Sequence, residues 1–112
     1  MSDNGAGSAS VADASTPNIV AWILASSDRR GTGHIITIDV HPDYQRRSIG
    51  EMMMELAEMR LKQKGCSRVL LEVAIDNSGA IAFYKRRDYK TARELSKYYS
   101  DGTNAYRMEK ML

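Results

Sequence analysis

Asp39-Val40-His41-Pro42-Asp43-Tyr44-Gln45-Arg46-Arg47-Ser48-Ile49-Gly50 is the stretch with the clearest chemical capacity. It leaves a β-branched run, turns at a proline, and delivers basic and small residues onto the start of a helical pattern. The first amides of a helix have no partner within it, and the helix dipole adds partial positive charge there. A strand ending in such a turn is a seat for a phosphate. Ser48 and Gly50 are small enough to let a pyrophosphate approach the main chain, and Arg46 and Arg47 supply charge beside it. A solvated helix start can look the same. Two flanking features raise the value of the stretch: the strand pattern before it, and Leu71-Glu72-Val73 with Asn77 and Tyr84 after it.

The elements that position these residues follow from periodicity. Asn18–Ser26 reads as a strand, and the glycine-containing polar turn Ser27–Gly33 leads into a second strand, His34–Val40. Strict alternation puts His34, Ile36, Ile38 and Val40 on one face of it, and Ile35, Thr37 and Asp39 on the other. Ile49 to Lys64 is helical, with Ile49, Met52, Met53, Leu56 and Met59 expected inward and Glu51, Glu55, Glu58 and Lys62 outward. The Met52-Met53-Met54 run reads as core filling by flexible thioethers. Gly65 ends that helix. Arg68–Ile75 is a third strand in which Val69, Leu71, Val73 and Ile75 alternate with polar or smaller residues. Asp76-Asn77-Ser78 offers capping oxygens for a helix over Ser78–Arg87, its inner face Ala80, Ile81 and Tyr84. Tyr89–Leu95 and Asn104–Leu112 close the chain as two strands around a polar aromatic loop with an Asp101-Gly102 turn. The fold class is α/β, a mixed sheet in the order β-β-α-β-α-β-β with a central parallel strand pair.

Length and composition narrow the classes. At 112 residues there is one small domain, expected over residues 18–112. Residues 1–17, rich in Ser, Ala, Gly and Asp, are expected to lack fixed structure or to be an expression remnant. A net charge of +2 does not argue for nucleic acid, and no apolar run approaches the roughly 20 residues that cross a membrane. Lys85-Arg86-Arg87 is explained by a solvated helix end. The single cysteine, Cys66, excludes an internal disulfide and suits a reducing, cytoplasmic setting. No His, Cys and carboxylate set has ligand spacing for a metal, and His34 and His41 have no partner suggesting one.

With these residues in view, the chain resembles the GNAT superfamily of acetyl-CoA-dependent N-acetyltransferases. The family signature Gln/Arg-x-x-Gly-x-Gly/Ala is matched by Gln45-Arg46-Arg47-Ser48-Ile49-Gly50, with serine where the first glycine stands. Serine does not take up positive φ cheaply. The likeness is nearest to the ribosomal-protein-alanine and archaeal protein N-terminal acetyltransferases. It rests on Val40–Arg46, Leu71-Glu72-Val73 with Asn77, Ala80–Tyr84, and Tyr98-Tyr99-Ser100-Asp101-Gly102 with Ala105-Tyr106. Arg87-Asp88-Tyr89 departs from the family's Leu-Gly-Phe turn. The family's first strand, two helices and second strand find no counterpart before Ile19, so the fold is expected to be a truncated GNAT fold. The strand edge so exposed invites a homodimer.

The resemblance implies acetyl-CoA as cosubstrate, without a metal. The pantetheine would pair with the main chain of Ile38, Asp39 and Val40, and the pyrophosphate would sit on the Arg46, Arg47, Ser48, Ile49, Gly50 and Glu51 segment. Asn77 would bond the pantetheine arm, or cap a helix, or both. Glu72 would be the general base through water and Tyr84 the acid for the thiolate, while Tyr98 and Tyr99 would hold the acceptor. On the residues alone, Glu72 is equally a strand carboxylate paired with Arg68 or a lysine, and Tyr84 a core aromatic. The acceptor implied is a protein N-terminal α-amino group. A small-molecule amine acceptor, and a coenzyme A-binding or oligomerisation module without turnover, are the alternatives.

Overall fold

The computed structural model describes residues 5–12, 19–41 and 48–112. Arg46 and Arg47, with the turn from Pro42, lie outside the described residues. The apolar runs pair into one six-stranded sheet: β1 (Gly5–Ala12), β2 (Ile19–Ser27), β3 (Thr32–Val40), β4 (Arg68–Ala74), β5 (Lys90–Leu95) and β6 (Ala105–Met111). Helix α1 (Ile49–Gln63) joins β3 to β4, and α2 (Ser78–Arg86) follows β4. The sheet order is β1-β2-β3-β4-β6-β5, with β3 and β4 parallel and every other neighbour antiparallel. The mixed α/β architecture with a central parallel pair is as the sequence predicts, with one strand more.

That strand corrects the expectation for residues 1–17. Gly5–Ala12 pairs with β2 along its length, so β2 is not an edge and the outer edge belongs to β1. Small residues bury little surface, which argued against structure here. A ladder, however, needs only main-chain donors and acceptors, and β2 supplies a row of them.

One face of the sheet holds the core: Ile23, Ile35, Val69, Leu71, Val73 and Met108, covered by α1 and joined by Tyr84 and Tyr89. Cys66 packs there too, and burial raises its thiol pKa. Close approach of α1 depends on Gly33, where an added Cβ would come within 2.6 Å of Leu61 Cδ1. Two expectations about side-chain direction are corrected. Met52 and Met59 are each 57% exposed, and the buried stripe of α1 is Met53, Met54, Ala57, Glu58 and Leu61. In β3, Ile35 shares the core face with Ile38 and Val40, because the register shifts opposite Ile36 and leaves that side chain outside.

Glu58 explains the first correction. A carboxylate argues for solvent, yet this one accepts from Tyr89 Oη (2.9 Å), Lys110 Nζ (2.8 Å) and Arg87 Nη2 (3.3 Å). Its partners come from beyond α2 and from β6, so helix spacing could not reveal that a charge here is neutralised. The cluster ties α1 to the last third of the chain. Removing the carboxylate leaves Lys110 partly buried without its counter-charge and Arg87 with only Glu55, at 3.9 Å. Glu58→Ala should therefore lower unfolding free energy by about 3 kcal/mol. Tyr89→Phe, which deletes one hydrogen bond, should cost about 1 kcal/mol. Urea denaturation of both variants checks the order.

Candidate active site

The parallel ladder between β3 and β4 is short. It runs from Thr32 opposite Arg68 to Ile35 opposite Leu71. Beyond it β3 continues beside β2 to Val40, and β4 beside β6 to Ala74. The two central strands part where they would otherwise pair, opening a fork at the C-terminal ends of parallel strands. Such ends are where open α/β sheets take ligands. Both helix starts belong to this end of the sheet, since α1 follows β3 and α2 follows β4.

Ser48 is the N-cap of α1 at φ 61°, ψ 14°, and its side chain makes no capping hydrogen bond. The first-turn amides of Ile49, Gly50 and Glu51 are thus left for an anion. Gly50 lies against Phe83, 3.5 Å from an ideal Cβ, so the starts of α1 and the body of α2 are neighbours. Asn77 caps α2 by accepting from the Ala80 amide at 3.1 Å, which leaves its side-chain NH2 as a donor. Ile38 and Val40 turn inward along β3, and Asp39 is exposed. Of the cofactor residues expected from sequence, Ile38, Asp39, Val40, Ser48, Ile49, Gly50, Glu51 and Asn77 gather at this end of the sheet. Arg46 and Arg47 lie outside the described residues.

Glu72 is the first residue of β4 past the last paired position. It projects to the helix-free face with its side chain only 7% exposed. Three groups hold its carboxylate: His34 Nε2 at 2.6 Å, Arg107 Nε at 3.0 Å and Tyr98 Oη at 3.3 Å. Arg68, the ion partner expected from sequence, goes to Glu109 and Thr32 instead. Burial alone would raise the Glu72 carboxyl. The hydrogen bonds from His34 and Arg107, with the Arg107 charge, outweigh it and hold the group below the usual carboxylate range. An ionised carboxylate only accepts, so His34 donates from Nε2 and turns Nδ1, with its lone pair, away from Glu72. An open cavity of about 250 Å³ lies over His34, Glu72, Arg107, Leu70 and Thr32.

Tyr84 sits on α2 in the core cluster, edge-on to Phe83 (5.4 Å) and Tyr89 (5.9 Å). Its hydroxyl takes no hydrogen-bond partner among the described residues. Burial keeps it protonated by raising its pKa, and Tyr99 adds to the shift. Burial raises the Tyr99 hydroxyl, and the Glu72 and Asp76 charges add to the shift. Tyr98, 46% exposed, stacks edge-on with Tyr99 at 5.1 Å. Sequence reasoning missed His34 and Arg107. The signal for His34 was a register question: a parallel pairing of Ile35 with Leu71 sets His34 and Glu72 on one face.

The chain belongs to the acetyltransferase (GNAT) family, whose model matches residues 2–89. It is 33% identical to an N-alpha-acetyltransferase of Saccharolobus solfataricus over 81 residues, 71% of this chain and 48% of that one. Among solved structures, Ard1 from Thermoplasma volcanium superposes with a TM-score of 0.80 at 31% identity, over 84% of this chain and 64% of that one. The Escherichia coli ribosomal-protein-S18-alanine N-acetyltransferase gives 0.74 at 28% identity, over 85% and 63%. The chain spans about half the length of curated relatives such as the Saccharolobus enzyme.

Two measurements test this geometry. A residue with a Cβ in the left-handed region costs about 1 kcal/mol, so Ser48→Gly should raise unfolding free energy by up to that amount. The Glu72 carboxyl lies below its ordinary value of 4.5 when folded, so the stability it contributes is complete above that pH. That contribution drains as pH falls through the lower folded value. Glu72→Gln should flatten the acid limb of a stability-versus-pH curve, with wild type and variant converging at the acid end.

Proposed function

We propose that the chain is an acetyl-CoA-dependent N-acetyltransferase acting on protein N-terminal α-amino groups. The observation that carries this reading is the fork itself, with a hydrogen-bonded Glu72–His34 pair at its base and two helix N-termini at its mouth. Acetyl-CoA supplies the activated thioester when bound. The amides of Ile49, Gly50 and Glu51, with Ser48, Arg46 and Arg47, would hold its pyrophosphate. The β3 main chain at Ile38, Asp39 and Val40, with the Asn77 amide, would hold the pantetheine.

The acceptor amine attacks the thioester carbonyl carbon, an amide C–N bond forms, and the C–S bond breaks. An α-amino group has a pKa of about 8, so a modest base is enough to free it. A carboxylate held below its ordinary range is a weak proton acceptor. Glu72 therefore orients and charge-stabilises the imidazole, and His34 Nδ1 takes the proton, directly or through water. The leaving thiolate takes the proton of the Tyr84 hydroxyl. Tyr98 and Tyr99 flank the acceptor.

A coenzyme A-binding module without turnover is the second reading, favoured by the serine at φ 61° in the anion seat. Acetyl-CoA should raise the melting temperature under both readings, whereas release of coenzyme A on adding peptides belongs to the enzyme alone. Release with small amines but with no peptide would move the acceptor class. Glu72→Gln and His34→Ala should each lower kcat by about 100-fold with acetyl-CoA affinity nearly unchanged. Equal losses of turnover and affinity would make these residues structural. Tyr84→Phe should slow transfer, and an unaltered rate would remove it from the acid role. The uncharged residues of β1 leave its outer edge unguarded, which supports a homodimer. Sedimentation of a folded monomer would count against that assembly.

A further inference from the structure

Beyond Glu72, the helix-free face carries a charge arrangement that the chemistry above does not use. Across β4, β6 and β5 the register sets Glu72 opposite Arg107 and Arg107 opposite Arg93. One row away, Leu70 stands opposite Glu109 and Glu109 opposite Lys90. Arg107 is paired with Glu72, and Glu109 with Arg68. Arg93 and Lys90 are exposed and have no carboxylate within ion-pair distance among the described residues.

Two features make Arg93 unusual. Like charges directly opposite each other across a ladder cost stability, and Arg93 faces Arg107. Moreover, Arg93 reaches this face only through the register shift between Thr91 and Arg93. Were Ala92 paired in turn with Arg107 instead of bulged, alternation from Lys90 would put Arg93 on the core face opposite Tyr106. Bulges re-aim side chains next to sites, and this one sets Arg93 opposite Arg107 on the Glu72 row.

We propose that Arg93, with Lys90 beside it, is an acidic-side-chain subsite that makes this chain select acceptor peptides bearing Asp or Glu near the third residue. The proposal rests on the acetyltransferase reading for the position of the acceptor amine at Glu72. Neighbouring strands are about 4.8 Å apart, so the Arg93 main chain lies about 10 Å from that of Glu72. An extended peptide advances about 3.3 Å per residue, so a chain starting over Glu72 and running toward β5 meets Arg93 with its third or fourth residue. A planar guanidinium binds a carboxylate through two parallel hydrogen bonds, which suits Arg93 to this role more than lysine.

The test uses two peptides that differ only at residues three and four, Ser-Ala-Asp-Asp and Ser-Ala-Asn-Asn, extended by one common C-terminal sequence carrying a fluorophore. Binding is read by anisotropy in the presence of coenzyme A, and turnover by coenzyme A release. The acidic peptide should bind about tenfold more tightly and show a matching advantage in kcat/KM. Arg93→Ala should bring the ratio near one, Arg93→Glu should invert it, and Lys90→Ala should reduce it partially. Lys64→Ala, which removes a cation beyond the far end of α1, should leave the ratio intact. An equal affinity for the two peptides, a preference unmoved by Arg93→Glu, or tighter binding of a single-stranded oligonucleotide than of the acidic peptide overturns the subsite. Peptide preference without coenzyme A release would instead overturn the acetyltransferase reading and leave the subsite standing. Thermal melts of each variant separate loss of fold from loss of contact.

Discussion

Four residue pairs of parallel ladder, Thr32–Ile35 against Arg68–Leu71, decide what this sheet can do. They are enough to fix β3 and β4 side by side at one end. They are too few to keep the strands together at the other. Past Leu71 each strand follows its outer neighbour, β3 beside β2 and β4 beside β6, and the middle opens. The gap leaves main-chain groups of β3 facing no strand, brings two helix N-termini to one end of the sheet, and stations Glu72 at the point of divergence. A longer ladder would bury all of this in hydrogen bonds.

The sheet also carries two largely buried carboxylates, one on each face. Glu58, on the helix side, is bound by Tyr89, Arg87 and Lys110. Those partners belong to segments that must come together for the domain to fold, so its role is tethering. Glu72, on the open side, is bound by His34, Arg107 and Tyr98, and a cavity stands over the group. Both are desolvated and both are charge-balanced. What distinguishes them is their company: two cations and a phenol around Glu58, against an imidazole, a guanidinium and a phenol around Glu72.

Register shifts supply the remaining control. The shift opposite Ile36 in β3 reverses the alternation, so that Ile38 and Val40 return to the core while Ile36 is left outside. The shift at Ala92 does the same for Arg93. Each costs one unpaired residue in a ladder, and each lies on a strand that borders the site. A sheet without them would carry the same residues with a different set facing the acceptor side.

Much of the frame was legible from residues alone. The helix over Ile49–Gln63, its glycine stop, the Asn77 cap and the alternation of Val69, Leu71 and Val73 are local patterns, set by 3.6-residue and 2-residue periods and by side chains within one turn. The helix start after Ser48 and the strand that carries Glu72 were legible for the same reason, since each belongs to a short run of adjacent residues. The pairing of β1, the inward turn of Glu58, the two bulges and the His34–Glu72–Arg107 contact were not. Each depends on a partner far along the chain, 38 residues away for His34 and Glu72, and on a one-residue choice of register that composition does not encode. Local order came from the sequence by itself. Which side chains meet over the open face was decided only when the strands aligned.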